Sequence, residues 1–260
     1  MDPILKIDCV TKRFGGLMAL AEVEYEVRRG EILGLIGPNG AGKTTMFNCI
    51  AGIYEPTSGQ VVFSPEPGKN IVTNGFKSEK VTKLGIARTF QNIRLFNDLT
   101  VLDNVRLGCH CRTSSNFFGA VLRFAAQQRE EQKIIDSSMH WLEFVGLGKN
   151  ALSDASSLSY GNQRRLEIAR ALATEPKLIM LDEPAAGMNP QETQMLIKLI
   201  RAIVAEGITV VLIEHDMKLV MTICERLVVL DHGILIAEGS PKSIRENPMV
   251  IEAYLGRGAA

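Results

Sequence analysis

Eight residues near the N-terminus have the types and the spacing of a phosphate-binding loop. Residues 37–44 read GPNGAGKT, which fits the Walker A pattern G-x-x-x-x-G-K-[ST]. Glycines let such a loop turn tightly, so that its backbone N–H groups can point at phosphate oxygens. We expect Lys43 to reach the β- and γ-phosphates of a nucleotide and the Thr44 hydroxyl to contact Mg²⁺. The predicted nucleotide-binding residues of this segment are Gly37, Pro38, Asn39, Gly40, Ala41, Gly42, Lys43, Thr44 and Thr45.

The stretches on either side of the loop support this interpretation. Residues 31–36 predict a short buried strand, and residues 45–51 predict a helix. A strand before the loop and a helix after it are the context that the motif requires, and the helix N-terminus adds positive potential beside the phosphates. A glycine-rich loop that binds no nucleotide is the alternative, which the fit of both flanks disfavours.

Two acidic residues end a second buried strand. Residues 178–183 read LIMLDE, and Pro184 stops the strand. Asp182 is expected to hold Mg²⁺ directly or through water. Glu183, one residue further, is placed to orient or deprotonate a water that attacks the γ-phosphate. An ordinary strand end with solvated acids is the alternative.

Composition limits the class of protein. The chain has 260 residues with 29 basic and 29 acidic side chains, so no electrostatic footprint for a nucleic-acid partner is seen. Five cysteines predict no disulfide framework and fit a reducing cytosol. We see no signal peptide, and no apolar run approaches the roughly 20 residues that span a bilayer. These features predict a soluble or peripheral protein.

The pattern of apolar residues changes along the chain. Residues 4–7 and 21–27 alternate at period two and predict strands with one solvated face. Helical periodicity then dominates from residue 98 to residue 175. After Pro176, the short apolar runs 177–181, 209–213 and 226–230 are separated by helical segments, which is typical of parallel strands in an α/β fold. We therefore predict a core of residues 1–97 and 176–260, interrupted by a helical subdomain of residues 98–175.

Residues 158–163, LSYGNQ, lead into the helical sequence RRLEIARAL. They resemble the signature motif of ABC ATPases, usually written LSGGQ. Ser159 and the N–H groups around Gly161 begin a helix and could bind an anion, although a simple helix cap is the alternative. This copy has Tyr160 in place of the first glycine and Asn162 in place of the glutamine. The resemblance implies that Ser159 and Gly161 contact nucleotide held by a second subunit.

Three further residues resemble positions of the same family. Gln91, in RTFQ, resembles the Q-loop glutamine that contacts Mg²⁺ and the attacking water, and its loop is expected to touch a membrane subunit. His215 follows the run 209–213 and resembles the switch histidine that contacts the γ-phosphate; a strand's carboxyl end faces the ligand side of such sheets. Phe14 resembles the aromatic residue that stacks on adenine, with a core role as the alternative.

The motifs follow one another in the family's order. The resemblance implies an α/β fold: a phosphate-loop ATPase core with a parallel sheet, an N-terminal antiparallel β part and an inserted α-helical subdomain. The signature region and residues 182–190, DEPAAGMNP, look most like the ATP-binding subunits of branched-chain amino-acid importers, and in particular the first of their two ATPase chains. Lipopolysaccharide exporters and urea importers look similar. A non-transport ABC ATPase is the competing class.

This resemblance also implies ligands, partners and a location. The ligands are ATP and Mg²⁺. The partners are a second ATPase subunit, the same or homologous, two transmembrane permease subunits and, indirectly, a solute-binding protein. The permease subunits are expected to dock on residues 91–100 with Phe96 as an anchor; a hinge loop packed within its own subunit is the alternative. The expected location is the cytoplasmic face of the cell membrane. The apolar stretch 116–124 is expected to pack within its own subdomain, although a membrane surface or partner helix is the alternative. The cysteines and histidine of residues 109–111 are expected to be ordinary residues on or after a helix.

Overall fold

The computed structural model describes residues 3–109 and 124–255. Contacts divide the chain into a core unit, which ends at Arg88 and resumes at Lys177, and a helical unit, Thr89–Pro176. The helical unit begins at Thr89 rather than at residue 98. The difference arises because side chains of the helical unit hold the backbone of Phe90 and Gln91.

The core unit contains a four-stranded antiparallel sheet in the order β2-β1-β4-β5. Strand β2 alternates between buried apolar residues and exposed glutamates, as the period-two sequence of residues 21–27 predicts. Residues 65–78 contain the two-residue strand β5. The strands are β1, Pro3–Phe14; β2, Leu17–Arg28; β4, Ser58–Phe63; and β5, Ile71–Val72.

A second sheet of six strands carries the phosphate loop, in the order β10-β9-β3-β8-β7-β6. Five neighbouring strands are parallel: β3, β7, β8 and β9, which were predicted as strands, and β6, which was not. Every residue of β3, β7 and β8 is buried. Strand β10 was not predicted; it joins the edge as an antiparallel hairpin with β9. The strands are β3, Ile32–Ile36; β6, Ile86–Arg88; β7, Leu178–Asp182; β8, Thr209–Ile213; β9, Arg226–Asp231; and β10, Ile234–Gly239.

Local capping explains where several helices of the core unit begin. Asn189 and Glu192 form a reciprocal capping box at the start of α6. Asp216 accepts two backbone N–H groups of α7. Ser240 caps α8 with Pro241 in the first turn, the arrangement that a Ser-Pro pair favours. The helices are α1, Lys43–Ile50; α2, Ser78–Leu84; α6, Pro190–Ala205; α7, Met217–Ile223; α8, Pro241–Arg245; and α9, Pro248–Leu255.

The helical unit contains α3, Val101–Cys109; α4, Phe124–Phe144; and α5, Tyr160–Leu172. Helices α3 and α5 approach closely at Gly108, where a Cβ atom would lie 2.3 Å from the Arg170 carbonyl oxygen. Cys109 ends α3, whereas residues 110 and 111 and most of the stretch 116–124 lie outside the described residues. None of the described helices is long and apolar enough to cross a bilayer.

The two sheets of the core unit share an apolar cluster that includes residues of β1, β2, β3 and α1. Leu35 lies in this cluster with no exposed surface, two residues before the phosphate loop begins. Packing behind the loop therefore supports the backbone on which any phosphate contact depends.

Leu35→Ala is expected to lower the free energy of unfolding by about 2–5 kcal/mol, because it removes buried methyl groups and leaves a cavity. Leu17→Ala is the matched control, since that leucine is 68% exposed and its truncation should change stability little. Urea denaturation of both variants without nucleotide measures the difference. Equal losses of stability would contradict the assignment of Leu35 to the core.

Candidate functional site

The predicted phosphate loop connects β3 to α1 at the carboxyl end of the parallel strands. Gly37 has φ of 149°, and a Cβ atom there would lie 2.0 Å from the Leu230 carbonyl oxygen. Gly42 has φ of 100° at the N-cap of α1, and its Cβ atom would lie 2.7 Å from the Ala19 carbonyl oxygen. Both positions therefore require glycine, because their φ angles are positive and because a carbonyl oxygen of a neighbouring strand leaves no room for a Cβ atom.

Lys43, the first residue of α1, folds back over the loop. Its Nζ atom donates to the carbonyl oxygens of Gly37 at 2.7 Å and Pro38 at 2.8 Å. The side chain is buried, and this burial lowers the pKa of the ammonium group, while the nearby charges of Glu183 and Asp182 oppose that shift. Its ammonium group therefore lies over the loop that is predicted to bind phosphate.

Asp182 ends strand β7 and is 1% exposed. Its Oδ2 atom accepts a hydrogen bond from Arg88 Nη2 at 2.9 Å, and Arg88 Nη1 donates to Asn48 Oδ1 of α1 at 2.5 Å. A buried carboxylate is tolerated when a cation and hydrogen bonds compensate its lost hydration. Sequence reasoning missed Arg88 and Asn48; the available signal for Arg88 was a charged residue at the end of a strand beside β7.

Glu183 adopts an uncommon backbone conformation at the turn after β7, with φ of 46°. Its N–H group donates to the Ile213 carbonyl oxygen at 2.9 Å, which ties the turn to the end of β8. Its Oε1 atom lies 2.6 Å from His215 Nε2. A non-glycine residue held at positive φ is frequent at functional sites, because the surrounding structure must enforce it. The structure thus brings two predicted site residues, Glu183 and His215, into direct contact.

Glu214 is a buried residue of this region that sequence reasoning missed. Its Oε1 atom accepts the Ala185 N–H at 2.7 Å, and its Oε2 atom accepts the His215 N–H at 3.0 Å. Burial raises the pKa of the Glu214 carboxyl and the charge of Glu183 adds to this, whereas the backbone donors lower it. One carboxylate therefore connects the loop after β7 to the loop after β8.

Phe14 lies at the end of β1 and is 41% exposed, so it is not part of the buried core. Its ring packs edge-on against Tyr54, with 5.1 Å between the ring centroids. Lys12 Nζ lies 5.0 Å from the Phe14 centroid. An exposed aromatic face of this kind is available for stacking on a planar base.

The remaining predicted site residues belong to the helical unit. Ser159 is the N-cap of α5, although its side chain makes no capping hydrogen bond, and Gly161 lies buried in the first turn. The Gln91 carbonyl oxygen accepts a hydrogen bond from Arg164 Nη2 at 2.8 Å. Ser159 and Gly161 share one helix start, whereas Gln91 is held against the side of that helix.

Oxygen donors are available where Mg²⁺ is predicted. Thr44 supplies a hydroxyl and Asp182 a carboxylate, the hard oxygen ligands that Mg²⁺ prefers. Gln91, the third predicted ligand, carries an amide oxygen and belongs to the helical unit. Within the described ranges, no group of three or more His, Cys, Asp and Glu residues forms a metal-binding cluster.

Comparison with protein families agrees with this arrangement. Residues 20–186 match the family model described as ABC transporter. Residues 235–260 match a second model, described as branched-chain amino acid ATP-binding cassette transporter.

Relatives match over nearly the full chain. The high-affinity branched-chain amino acid transport ATP-binding protein BraF of Pseudomonas aeruginosa is 46% identical over 98% of both chains. The corresponding protein LivG of Escherichia coli K12 is 44% identical over the same shares. A probable LivG of Archaeoglobus fulgidus is 34% identical over 97% of this chain and 95% of its own.

Solved structures match the fold as well. The ADP conformation of an ATP-binding cassette of an ABC transporter has a TM-score of 0.85 at 32% identity, covering 98% of this chain and 100% of its own. A nucleotide-free cassette has a TM-score of 0.84 at 31% identity with the same coverage. The chain belongs to the ABC transporter family, as an ATP-binding cassette whose members are ATPases coupled to transport. The predicted fold class and family are confirmed.

Arg88→Ala is expected to lower the free energy of unfolding by about 3–5 kcal/mol, because it removes the guanidinium that bonds the buried Asp182 carboxylate. Thermal or urea denaturation without nucleotide measures this loss.

The matched control is Lys83→Ala, which removes a cation from the exposed pair of Lys83 with Glu79. Its stability should remain close to that of the parent chain. If Arg88→Ala behaves like this control, the Arg88–Asp182 pair is not the compensation that Asp182 needs.

Proposed function

We propose that this chain is the ATP-hydrolysing subunit of a branched-chain amino-acid importer, equivalent to the first of its two ATPase chains. The observation that carries the substrate class is the 46% identity to a branched-chain amino acid transport protein over 98% of both chains. A methionine import ATP-binding protein of Brucella abortus is 33% identical, and the match covers only 62% of its length. Both the whole-chain match and the match of residues 235–260 favour the same substrate class.

Hydrolysis is proposed to take place at the carboxyl edge of the parallel strands. Lys43 exchanges the Gly37 and Pro38 carbonyls for β- and γ-phosphate oxygens, and Phe14 stacks on adenine. Thr44 and Asp182, and Gln91 of the helical unit, would hold Mg²⁺, which would neutralise charge on the phosphates. Backbone N–H groups of residues 37–45 bind the remaining phosphate oxygens.

Glu183 is the proposed general base. It takes a proton from a water whose oxygen attacks the γ-phosphorus, while the bond from that phosphorus to the bridging oxygen breaks and ADP leaves with the electron pair. His215 holds the Glu183 carboxylate at 2.6 Å and is proposed to contact the γ-phosphate. The conformation of Glu183, fixed by Ile213, aims this carboxylate before substrate arrives.

A second ATPase subunit is proposed to complete each site. Ser159 and Gly161 of one subunit would contact the γ-phosphate held by the other, so that ATP joins the subunits and hydrolysis releases them. A solved dimeric bacterial ABC transporter cassette matches this chain with a TM-score of 0.75 at 29% identity, which supports the proposal. The second subunit is the same chain or a homologous one.

Two permease subunits are proposed to dock on residues 91–100. The chain would then lie at the cytoplasmic face of the membrane. A solute-binding protein is proposed to act on it indirectly, through the permease. The Phe96 ring is 55% exposed, while its backbone exchanges two hydrogen bonds with the buried side chain of Asn104. The Arg94 guanidinium stacks 4.4 Å from the Phe90 ring centroid. A fixed backbone that presents an exposed aromatic ring suits an anchor in an interface.

Glu183→Gln is expected to bind ATP and to reduce its turnover by about 100-fold or more, because the amide keeps the size of the side chain but cannot accept the proton. A phosphate-release assay measures turnover, and light scattering should show an ATP-dependent dimer that persists.

Glu206→Gln is the control for this prediction, since Glu206 is an exposed residue just after α6. It should retain the turnover of the parent chain. Full turnover in Glu183→Gln would assign the general base to another residue.

Single cysteines at Asn92, Arg94 and Asn97, in a chain cleared of its five native cysteines, should crosslink to the permease subunits in the assembled transporter. Lys149→Cys, at an exposed position of the same unit outside this segment, is the control and should not crosslink. Each cysteine is labelled with a thiol-reactive photocrosslinker, and gel mobility of the permease after irradiation gives the readout. Crosslinks from residues 116–124 alone would move the docking site there.

A further inference from the structure

The helical unit contains a fully buried ion pair that the proposed chemistry does not use. The side chains of Arg164 and Glu167 are 0% and 1% exposed, and Arg164 Nη1 lies 2.7 Å from Glu167 Oε2. Burial raises the pKa of the Glu167 carboxyl, against the opposing effects of Arg164 and the Phe90 N–H. Apolar residues of similar volume are often as stabilising as such a pair, so stability alone is a weak reason for its presence.

The pair holds the backbone of the segment that contains Gln91. Arg164 donates to the carbonyl oxygens of Phe90 at 2.6 Å and of Gln91 at 2.8 Å, and Glu167 Oε1 accepts the Phe90 N–H at 3.2 Å. The backbone N–H and the carbonyl oxygen of Phe90 are therefore both hydrogen-bonded to the Arg164–Glu167 pair on α5. Charge-assisted bonds to a planar guanidinium fix orientation as well as distance.

The same pair is rigidly connected to the signature motif. Arg164 lies in the second turn of α5, the helix that Ser159 caps. The Tyr160 hydroxyl lies 3.5 Å from Arg164 Nη2, so the residue that replaces the first signature glycine contacts the pair. Asn162, the other departure from the signature, accepts a hydrogen bond from the neighbouring Arg165.

We propose that Arg164 and Glu167 are positioning residues that couple the Gln91 segment to the signature helix, so that displacement of residues 91–100 by a membrane subunit moves Ser159 and Gly161. The inference rests on the proposed function, because it assigns the membrane contact to residues 91–100 and the trans contact to Ser159. Without the pair, the two segments would lose these charge-assisted hydrogen bonds, and their movements could separate. Coupling between two sites typically changes the binding affinity at one of them by about 5- to 150-fold.

The test uses the double substitution Arg164→Met with Glu167→Leu, which removes both charges and leaves none unpaired in the interior. In the complete transporter reconstituted in liposomes with its solute-binding protein, we expect stimulation of ATP hydrolysis by leucine to fall at least ~5-fold. Hydrolysis by the isolated chain should persist. The control is Arg165→Met, because Arg165 bonds Val145 and Asn162 and not the Gln91 segment.

Arg164→Lys provides a second variant that keeps the charge opposite Glu167 but loses the guanidinium fork. It should lose part of the stimulation. Full stimulation in either variant, or an equal fall in the isolated chain, would overturn the proposal.

Hydrogen exchange of the isolated chain separates this inference from the proposed function. On addition of ATP and Mg²⁺, protection of residues 89–92 and 160–163 should change together in the parent chain and independently in the double variant. Joint changes in the variant would overturn the coupling, whatever the transported solute. Absence of leucine stimulation in the parent transporter would instead overturn the proposed substrate, with the exchange result still deciding the coupling.

Discussion

The arrangement of the site depends on three completely buried strands that end level with one another. In β3, β7 and β8, Leu35 pairs with Ile213, and Ile213 pairs with Asp182. Interior strands of a parallel sheet are apolar on both faces, so polar side chains can first appear where the strands end. The phosphate loop, Glu183 and Glu214 therefore emerge at one edge, and the register between strands decides which of them meet.

Charge at this edge is tolerated because each buried group has a specific partner. Arg88 compensates Asp182, backbone N–H groups compensate Glu214, and loop carbonyls satisfy Lys43. A charged group that lost its hydration without such partners would destabilise the fold by roughly several kcal/mol. Two of these contacts also restrict movement, since Arg88 joins β6 to β7 and the Ala185 N–H joins the loops after β7 and β8. The contacts that compensate buried charge therefore also help to position the site.

Local signals explain what the sequence could predict. The phosphate loop, the strand ending in Asp182 and the cap formed by Ser240 and Pro241 are all encoded within about ten neighbouring residues. Arg88 is different, because its partners Asn48 and Asp182 lie 40 and 94 positions away. Such pairings follow from strand order, which periodicity alone does not define. Strand β10 was missed for a related reason: it is an edge strand with mixed burial and a weak alternating pattern.

The two departures in the signature segment are held by contacts within their own helix. Tyr160 and Asn162 precede Arg164 and Arg165 by four and three residues, the spacings at which helical side chains meet, and the structure shows both contacts. Each departure is thus matched by an arginine on its own helix, whereas Ser159 and Gly161 retain the family's residue types. The backbone N–H groups at the start of α5 do not depend on the side chains that changed. Variation in this segment can therefore alter how the helix is held without altering which atoms it presents.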